Sequence, residues 1–160
     1  MSRLVVVLPL QPLEVGDSFS VADWPLHVTV LAPFRTSASP REIAAAISKA
    51  TTTQPALTVV AGRDELFGRR HDIPVTLVQE DAALAGLHDT LVEAVRPFAA
   101  APDEPAFTGP GFRAHVTVKG NARVSAGDDL FLAQIALVDM VPRGGPNGRT
   151  VLATLSLPSP

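Results

Sequence analysis

Two of the four histidines in this 160-residue chain carry the same tetrapeptide. His-Val-Thr-Val stands at residues 27–30, within "WPLHVTVLAPF", and again at residues 115–118, within "FRAHVTVKG". Valine and threonine are β-branched and favour extended backbone. In a strand, alternate side chains share a face. His27 and Thr29 therefore point together, as do His115 and Thr117, while the valines turn to the other side. Each copy sets an imidazole beside a hydroxyl, about 6.6 Å apart along the chain. Valines behind and polar groups in front describe a strand with one face in a core and the other at a site. A site held on strands is more rigid than one held on loops.

The surrounding pattern predicts an α+β domain. "LVVVL" (4–8) reads as a buried strand stopped by Pro9, and residues 11–23 read as a loop. "LHVTVLA" is a strand ended by Pro33. A helix follows in "SPREIAAAISKA", with Ser39 as cap, Pro40 at the first helical position and Glu42 completing a capping box. "ALTVVAGRDELFG", bent at Gly62, and "IPVTLVQ" are the next strands. A second helix runs from Asp81 to about Arg96, with Leu84, Leu87, Leu91 and Val95 on one face and Pro97 closing it. Residues 99–111 form a loop, and "RAHVTVKG", "LFLAQIALVDMV" and "RTVLATLSL" are three more strands, the last two joined by the turn "RGGPNG". The order is β-β-α-β-β-α-β-β-β. Two helices among seven strands argue for mainly antiparallel pairing rather than a doubly wound sheet.

Bulk properties narrow the partners. Apolar residues make up 46% of the chain, enough to build a core. Length fits one domain, residues 1–160, or two small lobes sharing a core. Net charge is −3, which argues against gripping a DNA duplex or any long nucleic-acid backbone. A nucleic-acid target would be short or held at an end. The absence of cysteine excludes disulfides, thiol catalysis and cysteine zinc sites, and fits a reducing, cytoplasmic setting. No apolar run is long enough for a membrane span.

Two His-Thr pairs brought together make a kit for phosphodiester chemistry. A neutral imidazole takes a proton from an attacking oxygen, and an imidazolium gives one to a departing oxygen. The hydroxyls donate to non-bridging oxygens. That scheme needs no metal or other cofactor. No carboxylate or third histidine adjoins either motif, which argues against zinc.

On "PLHVTVLAPF" and "FRAHVTVKG", and on the interval between them, the chain resembles the two-histidine phosphoesterases, the 2′-5′ RNA ligase or cyclic phosphodiesterase superfamily. The resemblance runs over essentially the whole chain. It implies a bilobal α+β fold with a pseudo-twofold axis, two antiparallel sheets forming a cleft and two main helices outside. It implies metal-independent action on 2′,3′-cyclic or 2′,5′-linked phosphates of nucleotides or RNA ends. The chain is expected to be a monomer. Carried over, His27 and His115 are the acid/base pair, in unassigned order, and Thr29 and Thr117 bind the phosphate. The family often has an arginine shortly after the second motif; here Lys119 stands on the same strand face, either as a phosphate ligand or as a solvated edge lysine. The alternative reading is a module that binds phosphorylated RNA ends or nucleotides without turnover.

Other residues carry weaker expectations. Trp24, Phe34 and Phe112 are the candidates for base stacking, with Phe34 and Phe112 favoured as core. Arg63, Arg69 and Arg70 read as a solvated turn balanced by Asp64 and Glu65, rather than a second phosphate site. His71 is expected to be exposed, and His88 to lie at the edge of helix packing. Arg143 and Arg149 flank the Gly-rich turn, where nothing in the sequence supports a lid role.

Overall fold

The computed structural model describes residues 1–100, 111–141 and 148–160. The strands are β1 (Ser2–Pro9), β2 (Ser18–Ser20), β3 (His27–Thr36), β4 (Leu57–Phe67), β5 (Ile73–Val78), β6 (His115–Thr117), β7 (Asp129–Leu132), β8 (Gln134–Asp139) and β9 (Gly148–Ser156). The helices are α1 (Pro40–Ala50) and α2 (Ala82–Val95), the latter extended by a 3₁₀ turn at Arg96–Phe98. The strands follow the order β2-β9-β8-β1-β3-β6-β5-β4-β7, and every pairing is antiparallel. The fold is α+β, a mostly antiparallel sheet with two helices.

The sheet divides into two halves at the repeated tetrapeptide. β2-β9-β8-β1-β3 form one half and β6-β5-β4-β7 the other. Between β3 and β6 the registered pair is Val28 with Val116. The same residue of each motif faces its counterpart across an antiparallel ladder, so the junction has a local twofold relation.

Burial explains why this arrangement forms. Val28, Val30 and Val116 turn into the main core with Leu4, Val6 and Leu8 of β1. Both helices cover that face. Ile43 and Ile47 of α1, and Leu84, Leu87, Leu91 and Val95 of α2, join the same cluster. The α1 start is secured by the anticipated capping box: Ser39 Oγ accepts from the Glu42 amide at 3.2 Å, and Glu42 Oε1 accepts from the Ser39 amide at 3.2 Å. Asp81 caps α2 through the Leu84 amide at 2.9 Å. A second, smaller cluster lies on the other face of β1. There Val5 and Val7 pack with Leu13, Trp24, Ala136, Val138 and Val151. β1 is thus buried on both faces, as its continuous apolar run requires.

Four local expectations are corrected. The loop 11–23 contains β2, whose Phe19 pairs with Arg149. β3 does not stop at Pro33 but continues to Thr36. The register with β1 shifts between Leu4/Phe34 and Val6/Leu31, so Pro33 lies where the ladder is already broken. "LFLAQIALVDMV" is two strands, with β7 beside β4 and β8 between β1 and β9. β6 is only three residues long. The bend expected at Gly62 is present as a register shift between Ala61 and Asp64. Arg143 and most of the turn "RGGPNG" lie outside the described residues, as does most of the loop 99–111.

Candidate active site

The Val28–Val116 register determines the layout of the opposite face. One step along each strand, His27 stands across from Thr117 and Thr29 across from His115. The four motif side chains therefore form a diagonal square of two imidazoles and two hydroxyls on one surface. β1 flanks it on one side, with Pro9 beside His27 and Val7 beside Thr29. β5 flanks it on the other, with Leu77 beside His115 and Val75 beside Thr117.

Each imidazole is tethered in the same way. His27 Nδ1 lies 2.8 Å from the Pro25 carbonyl, and His115 Nδ1 lies 2.7 Å from the Arg113 carbonyl. A carbonyl only accepts, so in both rings Nδ1 carries the hydrogen and donates. When the ring is neutral, Nε2 is the basic atom and is left for the site. The donor–carbonyl tether fixes tautomer and ring orientation together.

The surroundings of the two rings differ. His27 is buried, with Trp24 tilted over it at 31° and 4.1 Å between centroids. Burial lowers its pKa from 6.5 to about 4, against the raising effect of the Pro25 carbonyl, with further lowering by Lys119, His115 and Arg149. His115 is less buried and meets the edge of Phe67 at 4.6 Å. Its pKa is also lowered, first by desolvation and then by the Arg113 guanidinium, and the Arg113 carbonyl opposes this. Beside His115 opens a cavity of about 410 Å³, whose walls include Thr29, Ala32, Phe67, His71 and Phe112.

Cations ring the square. Lys119 Nζ sits 5.8 Å from the Trp24 ring centroid, and Arg149 Cζ sits 5.4 Å from it. Lys119 is half-buried, and its pKa is pushed down by desolvation and then by Arg149. On the other side Arg113 lies over Phe67 at 5.0 Å and is held by Glu65 at 2.6 Å. Among the described residues no three His, Asp or Glu side chains converge where they could hold a metal ion.

Phe34, the arginine-rich turn and His71 lie as expected; Trp24, Phe112 and His88 do not. Trp24 is buried against His27 and does not offer an open ring for stacking. Phe34 is core, whereas Phe112 lies flat on His88 at 4.0 Å. His88 is fully buried rather than at a packing edge, with Nδ1 2.8 Å from the Val30 carbonyl of the first motif strand. Arg63 pairs with Glu65 at 3.5 Å. Arg69 and Arg70 are exposed, as is His71, which adopts a left-handed φ of 51° while lining the cavity. Arg149, Arg113 and Phe67 were not singled out for the site by sequence. Arg149 is 122 residues from His27, and nothing local marks it.

The family follows from the sequence as a whole. Residues 7–136 match the model of the 2′-5′ RNA ligase superfamily, and the chain belongs to that family. Its fold is shared by solved structures of low sequence identity. Escherichia coli LigT complexed with NADP⁺ superposes with a TM-score of 0.59 at 19% identity, over 99% of this chain and 98% of that one. TT0787 of Thermus thermophilus gives 0.57 at 16% identity, over 98% of each chain. Kluyveromyces marxianus Usb1 gives 0.53 at 9% identity, again over 98% of each chain. A comparison with curated protein sequences returned no match. No described helix is long and apolar enough to cross a membrane.

Proposed function

We propose that this chain is a metal-independent phosphodiesterase that acts on 2′,3′-cyclic or 2′,5′-linked phosphates of nucleotides or RNA ends. The observation that carries this reading is the shared tether: two imidazoles, each holding Nδ1–H on a carbonyl, each set across from a threonine hydroxyl. The phosphoryl group lies between them, with Thr29 and Thr117 donating to its non-bridging oxygens and Lys119 adding a point charge. Escherichia coli LigT has been solved in complex with 3′-AMP, ATP and NADP⁺, which supports a nucleotide ligand here.

The unequal surroundings support a division of roles. His27, buried and held neutral to about pH 4, is the base. Its Nε2 takes a proton from water as the water oxygen attacks phosphorus. His115 is the acid. Its Nε2–H passes to the leaving oxygen as the P–O bond breaks, and the nucleoside that carries this oxygen occupies the cavity between Phe67 and Phe112. Negative charge on the bound diester offsets Lys119 and Arg149 and raises both imidazole pKa values toward the range useful near neutrality.

The test is a panel of 2′,3′-cyclic nucleotides and 2′,5′-linked dinucleotides incubated with the protein and chelator, with products read by phosphorus NMR. Turnover of at least one class that survives chelation is expected. Saturable binding with no turnover of any member would reject catalysis in favour of a binding module.

A further inference from the structure

The donors around Trp24 are more than one phosphodiester needs. The Arg149 guanidinium is fixed by its Nη1, which donates to the Met140 carbonyl at 3.1 Å and the Gly148 carbonyl at 2.8 Å. Its Nε is buried and has no hydrogen-bond partner. The Trp24 indole N–H is likewise buried and unpartnered, on a residue only 6% exposed. Lys119 and Arg149 both sit over that indole, and among the described residues no carboxylate pairs with either. Buried N–H groups without acceptors are rare and call for an explanation. Two cations held close together in partly desolvated positions repel each other unless an anion joins them. The Nε–Nη2 edge of a guanidinium is a fork shaped for two phosphoryl oxygens.

We propose that Trp24, Lys119 and Arg149 form a second anion subsite on the His27 side, which takes a phosphoryl group adjacent to the diester being cut. The depressed pKa values of Lys119 and Arg149, both caused first by desolvation, fit a pocket that lacks its counter-ion. The preferred substrate is then a nucleotide or oligonucleotide with at least two phosphates: the diester between the histidines and another phosphate beyond His27. This choice of substrate rests on the phosphodiesterase reading; the anion subsite itself does not.

Trp24 is the chain's one tryptophan, so its fluorescence reports directly on the subsite. Inorganic phosphate is the probe, titrated into wild type, Thr29→Val/Thr117→Val, Arg149→Gln and Arg149→Lys. The Thr variant removes ligands of the reacting diester and is expected to keep phosphate affinity at the indole within about threefold. Arg149→Gln is expected to weaken it about tenfold or more, as loss of a charge-assisted hydrogen bond does, and Arg149→Lys to recover part of the loss. A signal lost in the Thr variant but unchanged in Arg149→Gln would overturn the proposal, because the only anion would then be the diester itself. A kinetic arm compares 2′,5′-linked dinucleotides without a terminal phosphate and with one at the 5′ or the 3′ end. At least one phosphorylated form is expected to show a KM lower by about tenfold, a gain that Arg149→Gln removes. Equal KM values for all three would overturn the substrate choice. Phosphate binding at Trp24 without turnover of any dinucleotide or 2′,3′-cyclic nucleotide would reject the phosphodiesterase reading while leaving the subsite standing.

Discussion

The two halves of the site begin identically and end differently. Each has the same tetrapeptide, the same strand geometry and the same Nδ1–carbonyl tether. Around His27 the second layer is closed: Trp24 covers the ring, and Lys119 and Arg149 stand beyond. Around His115 it is open: Phe67 touches the ring by its edge, Arg113 is paired with Glu65, and a cavity begins there. Backbone symmetry therefore delivers two equivalently tethered imidazoles, and side chains contributed by other segments make their surroundings unequal. A sequence motif can specify the first fact but not the second.

The largest expected effect tests the assignment of roles. His27→Ala and His115→Ala should each lower turnover by about 10² or more on a nucleoside leaving group, the usual scale for loss of a general base or acid. A p-nitrophenyl diester leaves without help from an acid. With that substrate the deficit of His115→Ala should shrink to about tenfold or less, while that of His27→Ala should persist. The opposite pattern would exchange the two roles. Full activity of both variants on every substrate would remove the histidines from the mechanism.

The next effect concerns stability and involves His27 more than His115. A histidine whose folded pKa is depressed favours the fold while neutral. Its contribution is fully present above the unfolded value of 6.5 and is lost as pH falls through the folded value, about 4 for His27. The shift corresponds to about 3 kcal/mol once both states are protonated. Urea midpoints measured at pH 7 and pH 4.5 should fall further for wild type than for His27→Gln, which has no proton to take up. His115→Gln should narrow the gap less, because that ring is more open. Equal pH sensitivity of wild type and His27→Gln would show that burial does not hold this imidazole neutral.

How much of this could be read in the sequence depends on how local each determinant is. The first tetrapeptide, the capping box at Ser39–Glu42 and the apolar stripe of α2 are patterns within a few residues, and each has its expected structure, whereas the second tetrapeptide is strand only as far as Thr117. What escaped reading depends on distant pairing. β2 is three residues long and exists because β9 supplies its ladder. The division at Ala133 is hidden in an apolar run, although burial alternates in β7 and is continuous in β8, as suits a strand at an edge and one in the sheet interior. His88 reads as helix surface near an apolar face, and only the tertiary fold gives its ring Val30 and Phe112. Arg149 reaches the site because β8 and β9 return beside β1, a topological fact with no local trace.

The smallest effect is also the one that most directly compares the two cationic shells. The pH dependence of kcat/KM reports the free protein. Its acid limb follows whichever histidine must be neutral, and its alkaline limb whichever must be protonated. With His27 as base and His115 as acid, the acid limb falls near pH 4 and the alkaline limb lies below the ordinary histidine range. Arg149 lowers His27 through space, so Arg149→Gln should move the acid limb up in pH and leave the alkaline limb in place. Arg113 lowers His115, so Arg113→Gln should move the alkaline limb up and leave the acid limb in place. Each displacement should stay below about one pH unit, since burial is the first cause of both shifts and remains in both variants. Because Arg113 is already paired with Glu65, its charge acts at a discount, and its displacement should be the smaller of the two. If either substitution moves both limbs together, the two half-sites titrate as one coupled unit, and the division of labour between a closed and an open shell gives way to a shared proton.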